Sequence, residues 1–512
     1  MIQPFAFSFG PRRFRRIPLS LFVLALACLL LPIAARAQVT FNGVQPSVNI
    51  GSQAVGSPSA TVPLPFMIDA GTKVGSIAVL TTGIASKDFV NAAGSTCTAM
   101  TYATATNCMV NVNFTPLVTG LRRGAVVFYA GASKTSTALA TVPIFGVGTG
   151  PQVVFGPGGA QTSVGSKFIS PQGVAVDAAG NVYVTDIGRQ EAFKITPRGT
   201  QTTVGTGLQV PEDVSVDGAG NVYITDSQAD AVFKVTPGGV QTTVGSGFSY
   251  PVGVAVDGAG DVYVSDPFVD AVFEITPAGA QTMVGGGYNT PAGVAVDAAG
   301  NVYVADTFNA TVFKITPNGT QTMVGSGLIS PAAVAVDAAE DVYITDSATD
   351  AVYEVTPSGN QTTVSTGLDV PNGVTLDGSG NLYVADTFNE QVTKIDRADA
   401  PSLKFDPTKI NSTSKDSPKT VELENIGNAS LKFSALTYPP DFPEASGDNE
   451  CTSSTSLAAA SICALLIDFS PVTTLSSGSS RLLTEAVKFT TNDLNVPKKV
   501  QQVVVTGKEL RK

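Results

Sequence analysis

The stretch "PQGVAVDAAGNVYVTD", residues 171–186, recurs with few changes along the middle of a 512-residue chain. Its copies begin at Pro211, Pro251, Pro291, Pro331 and Pro371, so the period is 40 residues without a single insertion. A fixed period of this length indicates one supersecondary unit per repeat, with neighbouring units covering each other's apolar faces. The fold of the middle region therefore depends on what one unit builds.

Each unit is predicted to contain four short strands. In the second copy these are "DVSVD" (213–217), "NVYITD" (221–226), "AVFKVT" (231–236) and "QTTVG" (241–245), separated by residues typical of tight turns. The strands are apolar or small on both faces, so each four-stranded sheet needs a neighbour on each side. A β-propeller, which is a ring of four-stranded blades, meets that need and leaves only short edges free.

The sequence also predicts how the ring closes. The segment "GPGGAQTSVG" (156–165) matches the end of every unit, whereas the last copy stops at "QVTKIDRADA" (391–400) without that ending. We therefore expect the early segment to pair as the outer strand of the last blade. Six units closed in this way predict a six-bladed propeller over residues 151–398.

The repeat resembles a known family. The stretch "GVAVDAAGNVYVADTFNATVFKITPNG" (293–319) is similar to the NHL repeat, and the region from about 153 to 398 resembles a bacterial NHL-type β-propeller. That family often follows its second strand with Asp, two residues, Asn, one residue and Arg. Here Asp306/Asn309 and Asp386/Asn389 keep the Asn, and no copy keeps the Arg. The absence of Trp disfavours the WD40 alternative.

The regions on either side of the repeats, 39–150 and 399–512, resemble each other. "DFVNAAGSTC" and "CMVNVNFTP" (88–116) align with "DFPEASGDNEC" and "CALLIDFSP" (441–471). Alternation such as "VNVNF" and a length of about 110 residues predict two immunoglobulin-like β-sandwiches. Both look like the ASH or choice-of-anchor-D type of bacterial domain, which implies a spacing or adhesion role. The predicted fold class is all-β, with the propeller between two sandwiches.

The N-terminal segment 1–37 is predicted to be a signal peptide. Four arginines precede the apolar run Ile17 to Ala34, and Ala35-Arg36-Ala37 fits a signal peptidase site. A retained anchor helix, a lipoprotein signal on Cys28 and a twin-arginine route are the alternatives. We expect an exported protein, periplasmic or at the bacterial cell surface or secreted, with no membrane span in the mature chain.

Four cysteines remain after the signal peptide, as two close pairs in distant parts of the chain: Cys97, Cys108, Cys451 and Cys463. An even count in an exported protein predicts two local disulfides.

Composition disfavours several functions. The chain has no histidine, which disfavours a Ser-His-Asp triad, a His general base and His-containing zinc sites. It also disfavours streptogramin lyases and peptide-amidating lyases, because those propeller enzymes rely on active-site histidines. Residues 151–398 contain 26 Asp and Glu against 8 Lys and Arg, a net charge of −18, so nucleic acid is not an expected partner.

One enzymatic alternative needs no histidine. Gluconolactonase-like propellers hold a divalent cation on carboxylates and amides in the central channel, so a metal-dependent lactonase-like or lyase-like enzyme stays open. The nearly uniform first strands, such as "GVAVD" and "AVAVD", leave little for one asymmetric site. No cofactor, no catalytic residue and no metal ligand set is predicted.

Two columns of repeated aspartates are the most regular polar feature. They end the first strands (Asp177, Asp217, Asp257, Asp297, Asp337, Asp377) and the second strands (Asp186, Asp226, Asp266, Asp306, Asp346, Asp386). A ring of ligand carboxylates is one interpretation. The favoured one is that each carboxylate binds backbone amides of its own turn, since every blade needs the same support. At Glu340 the usual turn glycine is lost, which indicates either drift or a cation contact together with Asp341.

Recognition is expected where the copies differ. The loop after each second strand and the loop before each first strand are predicted to share one rim of the propeller. The candidate binding residues there are Arg189, Glu212, Asp230, Phe268, Asp270, Phe308, Asn309, Asp350, Phe388, Asn389 and Glu390. The alternative is that the polar residues only face water and the phenylalanines wedge against the next blade. The predicted function is that of an exported, non-enzymatic binding or scaffold protein with a protein or carbohydrate ligand.

Overall fold

The computed structural model describes residues 38–156, 159–472, 480–493 and 500–510. The predicted signal peptide, residues 1–37, lies outside the described residues. The described residues form strands and turns and contain no α-helix, which confirms the all-β prediction. It follows that no segment in these ranges has the form of an apolar membrane-spanning helix.

Residues 39–149 form two facing sheets around one apolar core. The strands are β1 (Val39–Phe41), β2 (Val48–Ala54), β3 (Val62–Ile68), β4 (Ser76–Thr81), β5 (Ile84–Ala85), β6 (Phe89–Asn91), β7 (Thr106–Phe114), β8 (Gly120–Tyr129) and β9 (Ala138–Thr149). One sheet has the order β1-β3-β7-β6 and the other β2-β9-β8-β4-β5. Phe66, Phe114 and Phe128 meet between them, and the predicted Cys97–Cys108 disulfide is present.

Six four-stranded sheets follow within the described residues. Their strands are β11 (Ala160–Val164), β12 (Pro171–Val176), β13 (Val182–Asp186), β14 (Glu191–Ile195), β15 (Gln201–Val204), β16 (Pro211–Val216), β17 (Val222–Asp226), β18 (Ala231–Val235), β19 (Gln241–Val244), β20 (Val254–Val256), β21 (Val262–Asp266), β22 (Ala271–Ile275), β23 (Gln281–Met283), β24 (Pro291–Val296), β25 (Val302–Asp306), β26 (Thr311–Ile315), β27 (Gln321–Val324), β28 (Pro331–Val336), β29 (Val342–Asp346), β30 (Ala351–Val355), β31 (Gln361–Ser365), β32 (Pro371–Leu376), β33 (Leu382–Asp386) and β34 (Gln391–Asp396). In the second copy these bounds agree with the predicted strands to within two residues.

The six sheets are arranged as a closed ring. The first strand of each sheet contacts the first strands of both neighbours, and β12 contacts β32 as well as β16. A buried tyrosine of each second strand enters the apolar core of the following sheet. Tyr183, for example, packs with Val214 and Ile224, and Tyr383 packs with Val174 and Val184. The repeated tyrosine therefore couples every sheet to the next, including the last to the first.

The strand that closes the ring is the predicted one. β11 pairs antiparallel with β34, from Ala160 opposite Asp396 to Val164 opposite Val392. The last sheet therefore has the order β11-β34-β33-β32 and draws its outer strand from the beginning of the repeat region.

The C-terminal region forms a second pair of sheets, to which an earlier strand contributes. Its strands are β10 (Val153–Gly156), β35 (Ser402–Lys409), β36 (Lys419–Asn425), β37 (Leu431–Thr437), β38 (Ser456–Leu457), β39 (Ser461–Ile467), β40 (Arg481–Thr491) and β41 (Val500–Leu510). The sheet orders are β10-β36-β39 and β35-β41-β40-β37-β38, and the predicted Cys451–Cys463 disulfide is present.

The position of β10 differs from the predicted boundary. A boundary at residue 151 assigns Val153–Gly156 to the repeats, but this strand pairs with β36 and extends the C-terminal sheet. Val153 and Phe155 enter the same core as Leu423 and Phe489. The physical reason is that this apolar strand gains burial in the C-terminal core.

Candidate functional site

One end of the ring is formed by the variable loops. In the first sheet Pro171 is opposite Asp186, so the loop before β12 and the loop after β13 lie side by side. The Asp186 carboxylate accepts the backbone N–H groups of Ile169 (2.9 Å) and Ser170 (3.0 Å). We call the surface made by these two loops of all six sheets the loop rim.

The aspartates at the ends of the second strands support the loop rim. Asp226 accepts the N–H groups of Gln209 (2.7 Å) and Val210 (3.0 Å), and Asp346 accepts those of Ile329 (2.7 Å) and Ser330 (3.1 Å). These carboxylates are buried, and their lone pairs are used by backbone amides. This agrees with the interpretation that the column serves the turns.

The aspartates at the ends of the first strands hold the opposite turns. Asp177 Oδ1 accepts the N–H groups of Ala179 (2.9 Å) and Asn181 (3.0 Å). Its Oδ2 accepts the Asn181 side-chain amide (2.7 Å) and the Tyr183 hydroxyl (3.1 Å). Lys194 is 3.8 Å from the same carboxylate and lies over the Tyr183 ring. Five of these aspartates connect their turn to the tyrosine that enters the next sheet, whereas in the third copy the Tyr263 hydroxyl donates to Glu274.

The three candidate phenylalanines of the loop rim project into solvent. Phe268, Phe308 and Phe388 are 76%, 72% and 68% exposed. The alternative, that they wedge against the next sheet, is not what the structure shows. Four further apolar side chains, which the sequence did not single out, are also exposed on this rim: Ile169, Tyr250, Val269 and Ile329.

The polar candidates surround these apolar groups and are partly used by the loops. Asp270 and Asp350 accept the N–H groups of Thr290 (2.8 Å) and Val370 (3.0 Å) in the following loops. Asn309 and Asn389 donate to Asp306 and Asp386, respectively. Glu212 accepts the hydroxyls of Ser227 and Tyr250, and Arg189 donates to the Lys167 carbonyl. Asp230 and Glu390 are exposed turn residues. The structure brings all of them to one rim.

A central cavity of about 730 Å³ runs between the first strands. The first-strand residues of the ring that line it are small or apolar, apart from Thr375 and from Asp213, which the sequence analysis did not single out. Arg122 and Arg123 of β8 line it as well, together with carboxylates of the adjoining turns such as Asp177 and Asp377. Asp213 accepts the N–H groups of Val214 (2.8 Å) and Val254 (2.9 Å). Burial raises the pKa of this carboxyl to about 7, although those amide donors oppose the rise.

The flanking sheets meet the ring at the end opposite the loop rim. The Gly83 N–H donates to the Gly218 carbonyl (3.0 Å), and the Gln152 side chain donates to the Gly378 carbonyl (3.2 Å). Asn428 of the C-terminal region donates to the Gly148 carbonyl (2.9 Å). The turns after the first strands are therefore covered, whereas the loop rim is not covered by the described residues of either flanking region.

A buried charged cluster lies where the fifth sheet meets the C-terminal sheets. Arg397 is buried and binds Glu354 (3.1 Å) and Glu424 (2.6 Å), and it donates to the Tyr343 hydroxyl (2.9 Å). Oxygens of Asp337, Asp341 and Glu354 lie within 4.8 Å of one another. Burial, with the charges of Asp337 and Glu354, raises the pKa of Asp341 to about 9. Glu340 is not part of this cluster, because its carboxylate binds Lys314 at 2.7 Å.

Comparison with known proteins supports the repeat assignment. The NHL repeat family matches residues 288–315. No curated protein matches the chain by sequence. The described residues are thus all-β, and residues 288–315 match an NHL repeat.

Several solved structures are similar to part of this chain. Virginiamycin B lyase from Staphylococcus aureus is 15% identical, with 48% of this chain and 89% of that chain covered and a TM-score of 0.38. A gluconolactonase from Xanthomonas campestris is 14% identical, with 49% and 98% covered and a TM-score of 0.42. An auxiliary nutrient binding protein from Bacteroides thetaiotaomicron is 13% identical, with 69% and 98% covered and a TM-score of 0.40. These structures include enzymes and a binding protein, and the likeness assigns no activity to this chain.

Proposed function

We propose that this protein is an exported, non-enzymatic binding or scaffold protein whose loop rim holds a protein or carbohydrate ligand. In this proposal the six sheets are the blades of an NHL-type propeller. The flanking regions, 39–150 and 399–512, are immunoglobulin-like sandwiches of the ASH or choice-of-anchor-D type that space or attach it. Residues 1–37 direct export, which suits the two disulfides.

The exposed apolar surface of the loop rim is the observation that supports this proposal most. The backbone N–H of Phe268 donates to the buried Asp266 carboxylate, and those of Phe308 and Phe388 donate to the carbonyls of Asn289 and Asp369 in the adjoining loops. The amides of Asn289 and Asp369 in turn bind the buried Asp306 and Asp386, so the rings are presented by a rigid support. Exposed apolar groups rimmed by polar residues are typical of ligand and protein binding surfaces. Aromatic rings suit both sugar faces and protein side chains because they combine large area with few rotatable bonds.

The enzymatic alternative has less support from the central cavity. A lactonase-like site needs several oxygen ligands or acid and base groups that converge from different strands. Asp213 is the one carboxylate that a first strand contributes to the cavity, and two backbone amides already use it. The other carboxylates of the lining are also engaged: Asp177, Asp297, Asp337 and Asp377 bind amides of their own turns, Asp88 pairs with Arg122, and Glu340 pairs with Lys314. The residues that line the central cavity are therefore more typical of a structural lining than of a catalytic site.

Replacement of the three aromatic rings tests the proposal. The variant Phe268→Ser/Phe308→Ser/Phe388→Ser should fold with unchanged Tm, because the rings have few contacts to lose. We expect it to lose at least about tenfold in affinity for whatever glycan or envelope protein the wild type binds, since each buried aromatic contributes about 1–2 kcal/mol to an interface. Glycan arrays and crosslinking in envelope extracts, followed by titration with the purified hit, give the measurement.

The matched control removes equally exposed apolar side chains elsewhere. Val240, Met283 and Met323 lie in or beside outer strands of the sheets and are 55%, 66% and 73% exposed. Their triple Ser variant should bind as the wild type does. Equal binding by all three proteins, or loss in the control alone, would contradict a role for the loop rim.

A further inference from the structure

Two of the six repeats depart from the others at the same two positions. The residue after the first turn is Asn in four copies and Asp at 261 and 341. The residue opposite the buried tyrosine is Lys in four copies and Glu at 274 and 354. Both changes occur together in the third and fifth copies, so they affect one local environment.

The ordinary copies show what these two residues do. In the first copy the Asn181 amide donates to Asp177, and the Lys194 ammonium lies 3.8 Å from the same carboxylate. One donor and one positive charge thus compensate the aspartate. In the fifth copy Asp341 and Glu354 take these places, and Asp337 faces two further carboxylates in place of an amide and an ammonium.

The fifth-copy cluster has more negative charge than its protein partners compensate. Asp337 and Asp341 lie beside Glu354, and Glu354 shares the single guanidinium of Arg397 with Glu424, so the cluster holds four carboxylates and one cation. Burial of uncompensated charges in a protein interior is strongly unfavourable. The terminal N–H groups of Arg397 bind the two glutamates and Tyr343, and its Nε–H is buried without a partner.

Asp341 gives independent evidence that a ligand is missing from the cluster. Its side chain is fully buried, at 0% exposure, and neither carboxylate oxygen has a hydrogen-bond partner. One Asp341 oxygen lies within 4.8 Å of a carboxylate oxygen of Asp337 and of one of Glu354. A buried carboxylate without any donor is rare in native proteins and calls for an unseen partner.

We infer that Asp337, Asp341 and Glu354 form a calcium-binding site that joins the fifth sheet to the C-terminal sheets through Glu354, Arg397 and Glu424. Calcium fits because the available ligands are oxygens. The chain has no histidine, and the four cysteines of the described residues are in disulfides. Two oxygens bound to one Ca²⁺ at its usual distances are at most about 5 Å apart. The 4.8 Å spread of the three carboxylates meets that limit.

A cavity beside the cluster provides access and room for water ligands. It has a volume of about 310 Å³ and is lined by Glu354, Arg397, Glu422 and Glu424 among others. Calcium takes six to eight oxygens, so water from this cavity completes the set that three carboxylates begin. The glutamates of its wall favour cation entry.

The third copy is the internal comparison. Its carboxylates, Asp257, Asp261 and Glu274, are only partly buried. Burial raises the pKa of Asp257, and the positive charge of Arg123 opposes that rise. No fully buried oxygen without a partner occurs among these three residues. Solvent can compensate this group, so we assign the calcium site to the fifth copy alone.

The substitution Asp341→Asn tests the site without threatening the fold, because Asn is the residue of four other copies. The assay measures the Tm of the full chain by circular dichroism, once in EDTA and once in 10 mM CaCl₂. NaCl is added to the EDTA sample so that both samples have the same ionic strength. For a Kd of about 0.1–1 mM, typical of extracellular calcium modules, the wild-type Tm should rise by about 2–6 °C with calcium. Equilibrium dialysis with radioactive calcium should give one bound ion per chain.

Three outcomes decide the inference. We expect D341N to lose the calcium response and to melt above the wild type in EDTA, because the amide restores the missing donor. The variant D261N should respond to calcium as the wild type does. A wild type that gains no stability and binds no calcium would overturn the site, as would an unchanged response in D341N or a loss confined to D261N.

Discussion

We expect Asp213 to make the stability of the ring depend on pH, and the variant Asp213→Ala tests this. Gly or Ala occupies this position in the other five copies, and Ala333 shows that alanine suits the strand. The folded protein holds the Asp213 proton more tightly than the unfolded chain does, because the pKa of the carboxyl is raised from 3.8 to about 7 by burial.

The sign and the size of the effect follow from that shift. The contribution of Asp213 is fully present below about pH 4 and is lost as the pH rises through about 7. A shift of three pKa units corresponds to about 4 kcal/mol at most. Asp213 lies on the cavity wall and is partly exposed, so solvent screening reduces the expected loss to about 1–2 kcal/mol.

The assay compares Tm with pH for two proteins. The chain has no Trp, so circular dichroism is a better probe than fluorescence. Between pH 4.5 and 8 the Tm of the wild type should fall relative to that of D213A by about 2–6 °C. The exposed Asp448→Asn removes one carboxylate elsewhere and should follow the wild-type curve. Parallel curves for wild type and D213A would refute the reasoning.

Three further predictions concern stability. Arg397→Met should lower the free energy of unfolding by about 3–5 kcal/mol, measured by urea unfolding in EDTA, because it leaves two buried glutamates without a cation; a loss below 1 kcal/mol would contradict this. Removal of the first disulfide by Cys97→Ser should destabilise the N-terminal sheets by about 3 kcal/mol, since the bond closes a short loop, and reduction of the wild type should match it. Asp226→Ala leaves the amides of Gln209 and Val210 without their acceptor, and we expect faster hydrogen exchange of these two amides and a loss of about 2–4 kcal/mol; unchanged exchange would argue against the supporting role of the column.

The ring was predictable because each of its features repeats. The 40-residue period, the turn residues and the split last unit are all local patterns, and the structure shows the predicted pairing of β11 with β34. The partner of β10 was not predictable in the same way. "VVFG" at 153–156 is a plausible strand of either neighbour, and its choice of β36 depends on a core assembled from residues beyond 400.

The candidate sites show the same contrast. Turn geometry places the variable loops on one rim, so the positions of Phe268, Phe308 and Phe388 follow from the repeat. Their exposure to solvent does not follow from the repeat, because an aromatic side chain in a loop packs against a sheet or projects into solvent according to its neighbours. Arg397 was missed because arginine is rarely buried, and its burial depends on Glu424 from another region. The paired Asn-to-Asp and Lys-to-Glu changes were a visible signal for the acidic cluster.

The position of β11 sets the order in which the ring is assembled. This strand leaves the ribosome, and in our proposal the export channel, before the other twenty-three strands of the six sheets, yet its partner β34 is the last of them. About 228 residues separate Val164 from Val392, so joining them early requires loop closure of about 5 kcal/mol before the intervening sheets have formed. In a nascent chain β11 should therefore stay unpaired until β34 has been made. A chaperone that covers an exposed strand edge would then act on this protein at β11.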